Sequence, residues 1–190
     1  MLEVRDLGLD GVREIVPKKH GDVRGFFSET YNSRTFADAG LDIAFCQDNH
    51  SLSRAPGVLR GLHYQLPPRA QDKLVRVIRG AVFDVAVDIR QGSPTFGQWT
   101  GLEVSAEKWN QILVPKGFAH GFVTLRPDTE VIYKVSDFYS PEHDRAIRFD
   151  DPAIAIDWPV DKDAVTLSEK DAAAPLLAEA ETGFVYEGGN

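Results

Sequence analysis

From about residue 20 to residue 150 the sequence is cut into short β-rich runs by turn residues. A chain punctuated this way folds as many short antiparallel strands. The runs are Gly25–Tyr31, Ala44–Ser53, Val58–Gln65, Lys73–Arg79, Ala81–Ile89, Trp99–Val104, Gln111–Val114, Ala119–Thr124 and Val131–Phe138. Turn signals separate them at Arg79-Gly80, Gln91-Gly92-Ser93-Pro94, Lys116-Gly117 and Arg126-Pro127-Asp128. Strands of this length and spacing predict a mainly β sandwich or barrel. Two short helices fit, Ser33–Ala39 with Ser33 as its cap and an alanine- and leucine-rich Lys170–Ala180. The 190 residues read as one domain, residues 1–190, with an irregular tail over 181–190.

Charge and cysteine usage narrow the function. The net charge of −8 argues against a nucleic-acid footprint, although a local pair of arginines still suffices for a phosphorylated small ligand. One cysteine, Cys46, allows no internal disulfide, so a reduced, cytoplasmic setting is expected. The charged N-terminal segment has no apolar core and does not read as a signal peptide, and no apolar run approaches a membrane span.

Side-chain alternation then groups reactive residues. If Lys73–Arg79 and Ala81–Ile89 form a hairpin about Arg79-Gly80, odd positions on the first strand share a face with even positions on the second. Lys73 then lies with Asp84 among Val75, Val77, Val82 and Ala86. The plainer account of that couple is a structural ion pair; the sharper one is a lysine held inside a pocket. The same parity across Arg126-Pro127-Asp128-Thr129 places His120 and Tyr133 together. Either alone reads as a hydrogen-bonded core residue; facing one barrel interior together, they become candidates for a site. Strict alternation would turn Arg60 and His63 opposite ways unless Gly61 marks a bulge.

The five histidines, His20, His50, His63, His120 and His143, form no His-x-His pair, so no metal site is expected. Dinucleotide, P-loop and serine-elbow motifs are missing as well, so no bound redox cofactor is expected.

Longer motifs carry a resemblance. The stretch GVLRGLHYQLPPRAQDKLVRVIRGAVFDVAVDIRQGSPTFGQW resembles the dTDP-4-dehydrorhamnose 3,5-epimerase family. So do QDNHS at Gln47–Ser51, PKGFAHGF at Pro115–Phe122, YKVSDFYSPEHDRAIRFDDP at Tyr133–Pro152 and IDWP at Ile156–Pro159. The resemblance implies a cupin-type jelly roll, a homodimer, a dTDP-sugar substrate and no cofactor. It matches His63 to the catalytic base, Tyr133 to the acid, Asp171 to the carboxylate behind the base and Lys73 to the lysine at the sugar ketone. It matches Arg24, Glu29, Gln47, Asp48, Asn49, Arg60 and His120 to ligand-binding positions, with Phe27 (or Phe26) and Tyr139 flanking the base or sugar.

The implied reaction converts dTDP-4-dehydro-6-deoxy-D-glucose to dTDP-4-dehydro-L-rhamnose. Protons on C3 and C5 are acidic because the enolate delocalises onto O4, so the catalyst needs a base, an acid on the opposite face and a cation at O4. Epimerisation at C3 or C5 alone fits the same groups. A non-catalytic nucleotide-sugar barrel does not need His63, Lys73 and Tyr133 together. A metal-dependent cupin enzyme would differ in its metal content.

Overall fold

The computed structural model describes residues 2–188. Thirteen strands run along it: β1 (Glu3–Asp6), β2 (Arg13–Val16), β3 (His20–Asp22), β4 (Gly25–Phe27), β5 (Gln47–Ser53), β6 (Leu59–Gln65), β7 (Lys73–Arg79), β8 (Ala81–Asp88), β9 (Trp99–Ser105), β10 (Gln111–Val114), β11 (Phe118–Thr124), β12 (Thr129–Val135) and β13 (Asp144–Ala146). Two α-helices, α1 (Ser33–Asp38) and α2 (Glu169–Ala172), are short.

The strands form a six-stranded sheet in the order β1-β2-β10-β7-β12-β5 and a five-stranded sheet in the order β13-β6-β11-β8-β9. The ladders within both are antiparallel. Strands β3 and β4 make a separate hairpin.

Apolar alternation explains why the sheets pack face to face. Val75, Val77, Ile112, Val114 and Val131 from the first sheet join Val82, Ala86, Val104, Phe118 and Phe122 from the second in one interior cluster. The outer face of the five-stranded sheet, with Leu62, Tyr64, Val85, Val87, Ala119 and Val123, is covered by Ile147, Phe149, Ile156, Trp158 and Leu177 of the C-terminal segment. The outer face of the six-stranded sheet buries Ile15, Leu74 and Leu113 beneath Phe36 of α1. At about 25 cal/mol per Å² of buried apolar surface, three such layers supply the main drive to fold.

The two expected hairpins are not hairpins. Strand β7 pairs with β10 and β12, whereas β8 pairs with β11 and β9. Likewise β11 and β12 belong to different sheets. Each turn carries the chain across the sandwich. The shared faces survive, because a strand entering the opposite sheet keeps its inward alternation, so Lys73 and Asp84 still both face inward. Gly80 makes the first crossing possible: its φ is +80°, and a Cβ there would lie 2.3 Å from Thr129 Oγ1.

Other boundaries differ. The Gly25–Tyr31 run is strand only to Phe27, and β1, β2 and β13 had no clear sequence signal. The first helix is capped by Asn32, whose side chain accepts from Arg34 N and Thr35 N, rather than by Ser33. The Lys170–Ala180 helix shrinks to α2, because Pro175 offers no backbone N–H and disfavours helix at Ala174. Residues 181–188 carry no helix or strand, and an isolated bridge ties them down: Val185 bridges to Gln91, and Tyr186 N donates to Gln91 O. Gly189 and Asn190 lie outside the described residues.

Candidate active site

The interior is not apolar throughout. At one end of the sandwich the inward side chains enclose a cavity of about 410 Å³, lined by Arg60, His63, Lys73, His120, Tyr133 and Asp171, with Ser51, Ser168 and Lys170. Thus β6, β7, β11 and β12 each contribute a side chain whose chemistry the sequence had flagged, and α2 adds Asp171.

Strand β6 places two residues in this cavity by breaking its own alternation. His63 pairs with His120 and Arg60 with Phe122, so three residue steps on β6 face two on β11. That is a bulge, and it turns Arg60 and His63 to the same side. Gly61 stands in it with φ +124°, and a Cβ there would lie 2.6 Å from Gly121 Cα. Two facing glycines therefore let the strands approach closely.

His63 Nε2 lies 2.5 Å from Asp171 Oδ1. The Asp171 side chain is only 4% exposed. Burial pushes its carboxyl upward, but the hydrogen bond and charge of His63, with contributions from Ser168 and the Gly61 amide, hold it below the usual carboxylate range. This carboxylate fixes which imidazole nitrogen carries the proton and stabilises the imidazolium. Ser168 caps α2 and accepts from Asp171 N at 3.1 Å, so the helix start fixes the backbone beneath the pair.

Lys73 is buried and donates from Nζ to His63 O at 3.1 Å. Burial lowers its pKa to about 8 despite the opposing charges of Asp144 and Asp84. His120 Nε2 lies 2.8 Å from Asp84 Oδ1. Burial depresses the His120 pKa, against the pull of Asp84. For Tyr133, burial is the largest influence and raises the phenol, while Arg60 acts the other way. The phenol therefore keeps its proton at neutral pH.

The remaining sequence-flagged residues are distributed differently. Gln47 and Asn49 point inward on β5, Asn49 opposite Tyr133 in register, and Gln47 Nε2 donates to Asn49 Oδ1 at 2.9 Å. Asp48 points outward and accepts from Lys134 Nζ at 2.9 Å. Tyr139 is exposed beside the site, and its hydroxyl donates to Asp144 Oδ2 at 3.1 Å. Arg24, Phe27 and Glu29 do not line the cavity. Arg24 is exposed on the β3–β4 turn and pairs with Asp22; Phe27 and Glu29 border a separate pocket with Lys18 and His20.

Sequence reading missed Lys170, which lines the cavity, and Asp144, which pairs with it. Neither sits in an alternating strand pattern, and only the fold of the C-terminal segment brings them here. Among the described residues no three His, Cys, Asp or Glu side chains gather as a metal-ligand set, and no helix is long and apolar enough to cross a membrane.

The sequence pattern of the dTDP-4-dehydrorhamnose 3,5-epimerase family matches residues 6–179. The dTDP-4-dehydrorhamnose 3,5-epimerase of Pseudomonas aeruginosa is 56% identical over 166 residues, covering 87% of this chain and 90% of that protein. The enzyme of the same description from Sinorhizobium fredii is 51% identical, covering 96% and 93%. Among solved structures, the dTDP-6-deoxy-D-glucose-3,5-epimerase of Legionella pneumophila, in complex with dTDP-4-keto-L-rhamnose, superposes with a TM-score of 0.94 at 46% identity, covering 99% of this chain and 100% of that one.

Proposed function

The chain belongs to the dTDP-4-dehydrorhamnose 3,5-epimerase family, and on that premise we propose that it inverts C3 and C5 of dTDP-4-dehydro-6-deoxy-D-glucose to give dTDP-4-dehydro-L-rhamnose. The observation that carries the residue assignments is the single cavity in which the His63–Asp171 pair, Lys73 and Tyr133 converge.

In this reading His63, its Nε2 bound to Asp171, uses Nδ1 to remove a proton beside the C4 ketone. Electron density moves to O4, where Lys73 supplies positive charge from a buried position on the cavity wall. Tyr133, on the opposing sheet, returns a proton to the other face, and that change of face inverts the centre. Arg60 meets no carboxylate among the described residues, only Ser53 Oγ and Leu52 O at long range, so its guanidinium is available for the diphosphate.

The substrate reading also bears on assembly. Arg24, Phe27 and Glu29, flagged as ligand-binding, sit on and just after an exposed hairpin outside the cavity. Strand β5, with Gln47 and Asn49, is an edge of its sheet. A homodimer in which each hairpin reaches the partner's cavity reconciles the two. The substrate class, a nucleotide sugar, sets the compartment in this reading, the cytoplasm.

Proton NMR in deuterated water with dTDP-4-dehydro-6-deoxy-D-glucose tests the activity. Deuterium at both C3 and C5 of an L-configured product is expected; deuterium at one centre alone would reduce the activity to a mono-epimerase.

A further inference from the structure

Asp84 lies mid-strand on β8, fully buried, between the inward Val82 and Ala86. One oxygen meets His120 Nε2 at 2.8 Å, whereas the other, Oδ2, has no hydrogen-bond partner among the described residues. A half-satisfied buried carboxylate costs stability, and a well-packed hydrophobic residue here would cost less. Such a group persists where its charge has a task. No role in proton transfer falls to it, since His63, Lys73 and Tyr133 already supply base, cation and acid.

We propose that Asp84 is a positioning residue of the epimerase, orienting His120 through Oδ1 and giving Lys73 its counter-charge through the carboxylate as a whole. The proposal rests on the reading of Lys73 as the cation at O4.

Two observations support it. Asp84 and Lys73 are inward residues of facing sheets, and the Asp84 charge favours the protonated lysine against burial. Lys73 also feels the charges of Asp144 from β13 and Lys170 from α2, and it shares its cavity with Asp171 from α2, Arg60 and His63 from β6, His120 from β11 and Tyr133 from β12. Of the carboxylates, Asp171 is committed to His63 and Asp144 to Lys170 and Tyr139. Of these carboxylates, only Asp84 has a buried oxygen without a hydrogen-bond partner among the described residues. For His120, the bond from Nε2 to a carboxylate assigns the proton to Nε2 and leaves Nδ1 as an acceptor towards the cavity.

The test uses the full chain. Asp84→Asn keeps the size and one acceptor oxygen and removes the charge. With dTDP-4-dehydro-6-deoxy-D-glucose, its alkaline loss of kcat should begin roughly one pH unit below that of the wild type, with KM unchanged. A merely structural role would lower folded yield without moving that limb. An unmoved limb with wild-type kcat overturns the counter-charge. Nitrogen-15 NMR of the wild type, with His120 assigned by its loss in His120→Gln, should find the proton on Nε2; a proton on Nδ1 overturns the orientation, and this arm stands even where Asp84→Asn does not fold. Wild-type turnover in the same assay separates failure of this inference from failure of the epimerase reading.

Discussion

Lys73 shows how one residue ties chemistry to pH. Its protonated form is the one that can stabilise an enolate, and burial brings its pKa to about 8. Activity should therefore fall as pH rises through that value, and in Lys73→Met kcat should be lower by on the order of 10²–10³ and this limb should vanish. Stability should move the other way. The unfolded chain holds the lysine proton up to its ordinary pKa near 10.5, so between about 8 and 10.5 the unfolded state binds more protons than the folded one. The Lys73 contribution to stability is present above that window and is lost as pH falls through about 8. Urea unfolding of wild type and Lys73→Met across the window checks this: the wild type should gain stability relative to Lys73→Met as pH rises, and a constant difference refutes it.

His63 and Tyr133 should separate by experiment. His63→Ala should abolish deuterium exchange at both centres. Tyr133→Phe should suppress inversion while leaving some exchange, because an enolate formed by His63 can be reprotonated from the same side. Each loss should be about 10²–10⁴-fold. Inversion at the wild-type rate in Tyr133→Phe would pass the acid role to Tyr139 or to water. Tyr133 was legible beside His120 because parity across the turn keeps inward residues inward; His63 was legible only through the resemblance of its motif, since strict alternation set it opposite Arg60. Asp144 and Lys170 were not legible, since their placement depends on how the C-terminal segment lies across β6.

At the scale of elements, the sequence marked most of the long strands but not their partners. A tight turn at Gly80 looks the same whether it closes a hairpin or carries the chain to the opposite sheet, because both keep inward residues inward. What separates them is the environment of Gly80, pressed against Thr129 of β12. For the bulge on β6, Gly61 offered a place, but the sequence alone did not decide it; the pairing of β6 with β11 does. The bulge makes a direct prediction. A Cβ on Gly121 would lie 2.9 Å from Arg60 O and 3.0 Å from Leu62 Cδ2, so Gly121→Ala must push β6 away from β11. Overpacking of this kind costs roughly 1–3 kcal/mol, and thermal unfolding should show it. Because the same shift moves His63 and Arg60, kcat should fall even where the variant is fully folded. A variant with wild-type kcat would show that the glycine contact serves stability alone.

At the scale of the whole molecule, the distribution of ligand-binding candidates is uneven. His63, Lys73, His120 and Tyr133 share one cavity, while Arg24 lies on an exposed turn with Asp22 as its only ion-pair partner among the described residues. The neighbouring Val23, Phe26 and Phe27 are exposed as well. An isolated chain gains nothing from an apolar hairpin held in water, whereas a symmetric dimer can bury each hairpin against its partner. If the partner's Arg24 completes the site, then His63→Ala and Arg24→Ala damage opposite contributions to each cavity. Each variant alone should be weak at limiting substrate. In an equal mixture that exchanges subunits, half of the dimers are mixed, and each holds one site with an intact His63 and an intact partner Arg24. Recovery should approach about a quarter of the wild-type rate per chain. Sedimentation should show a dimer throughout. A mixture no more active than the mean of the two variants would place Arg24 and His63 in the same chain's site, or remove Arg24 from substrate binding altogether.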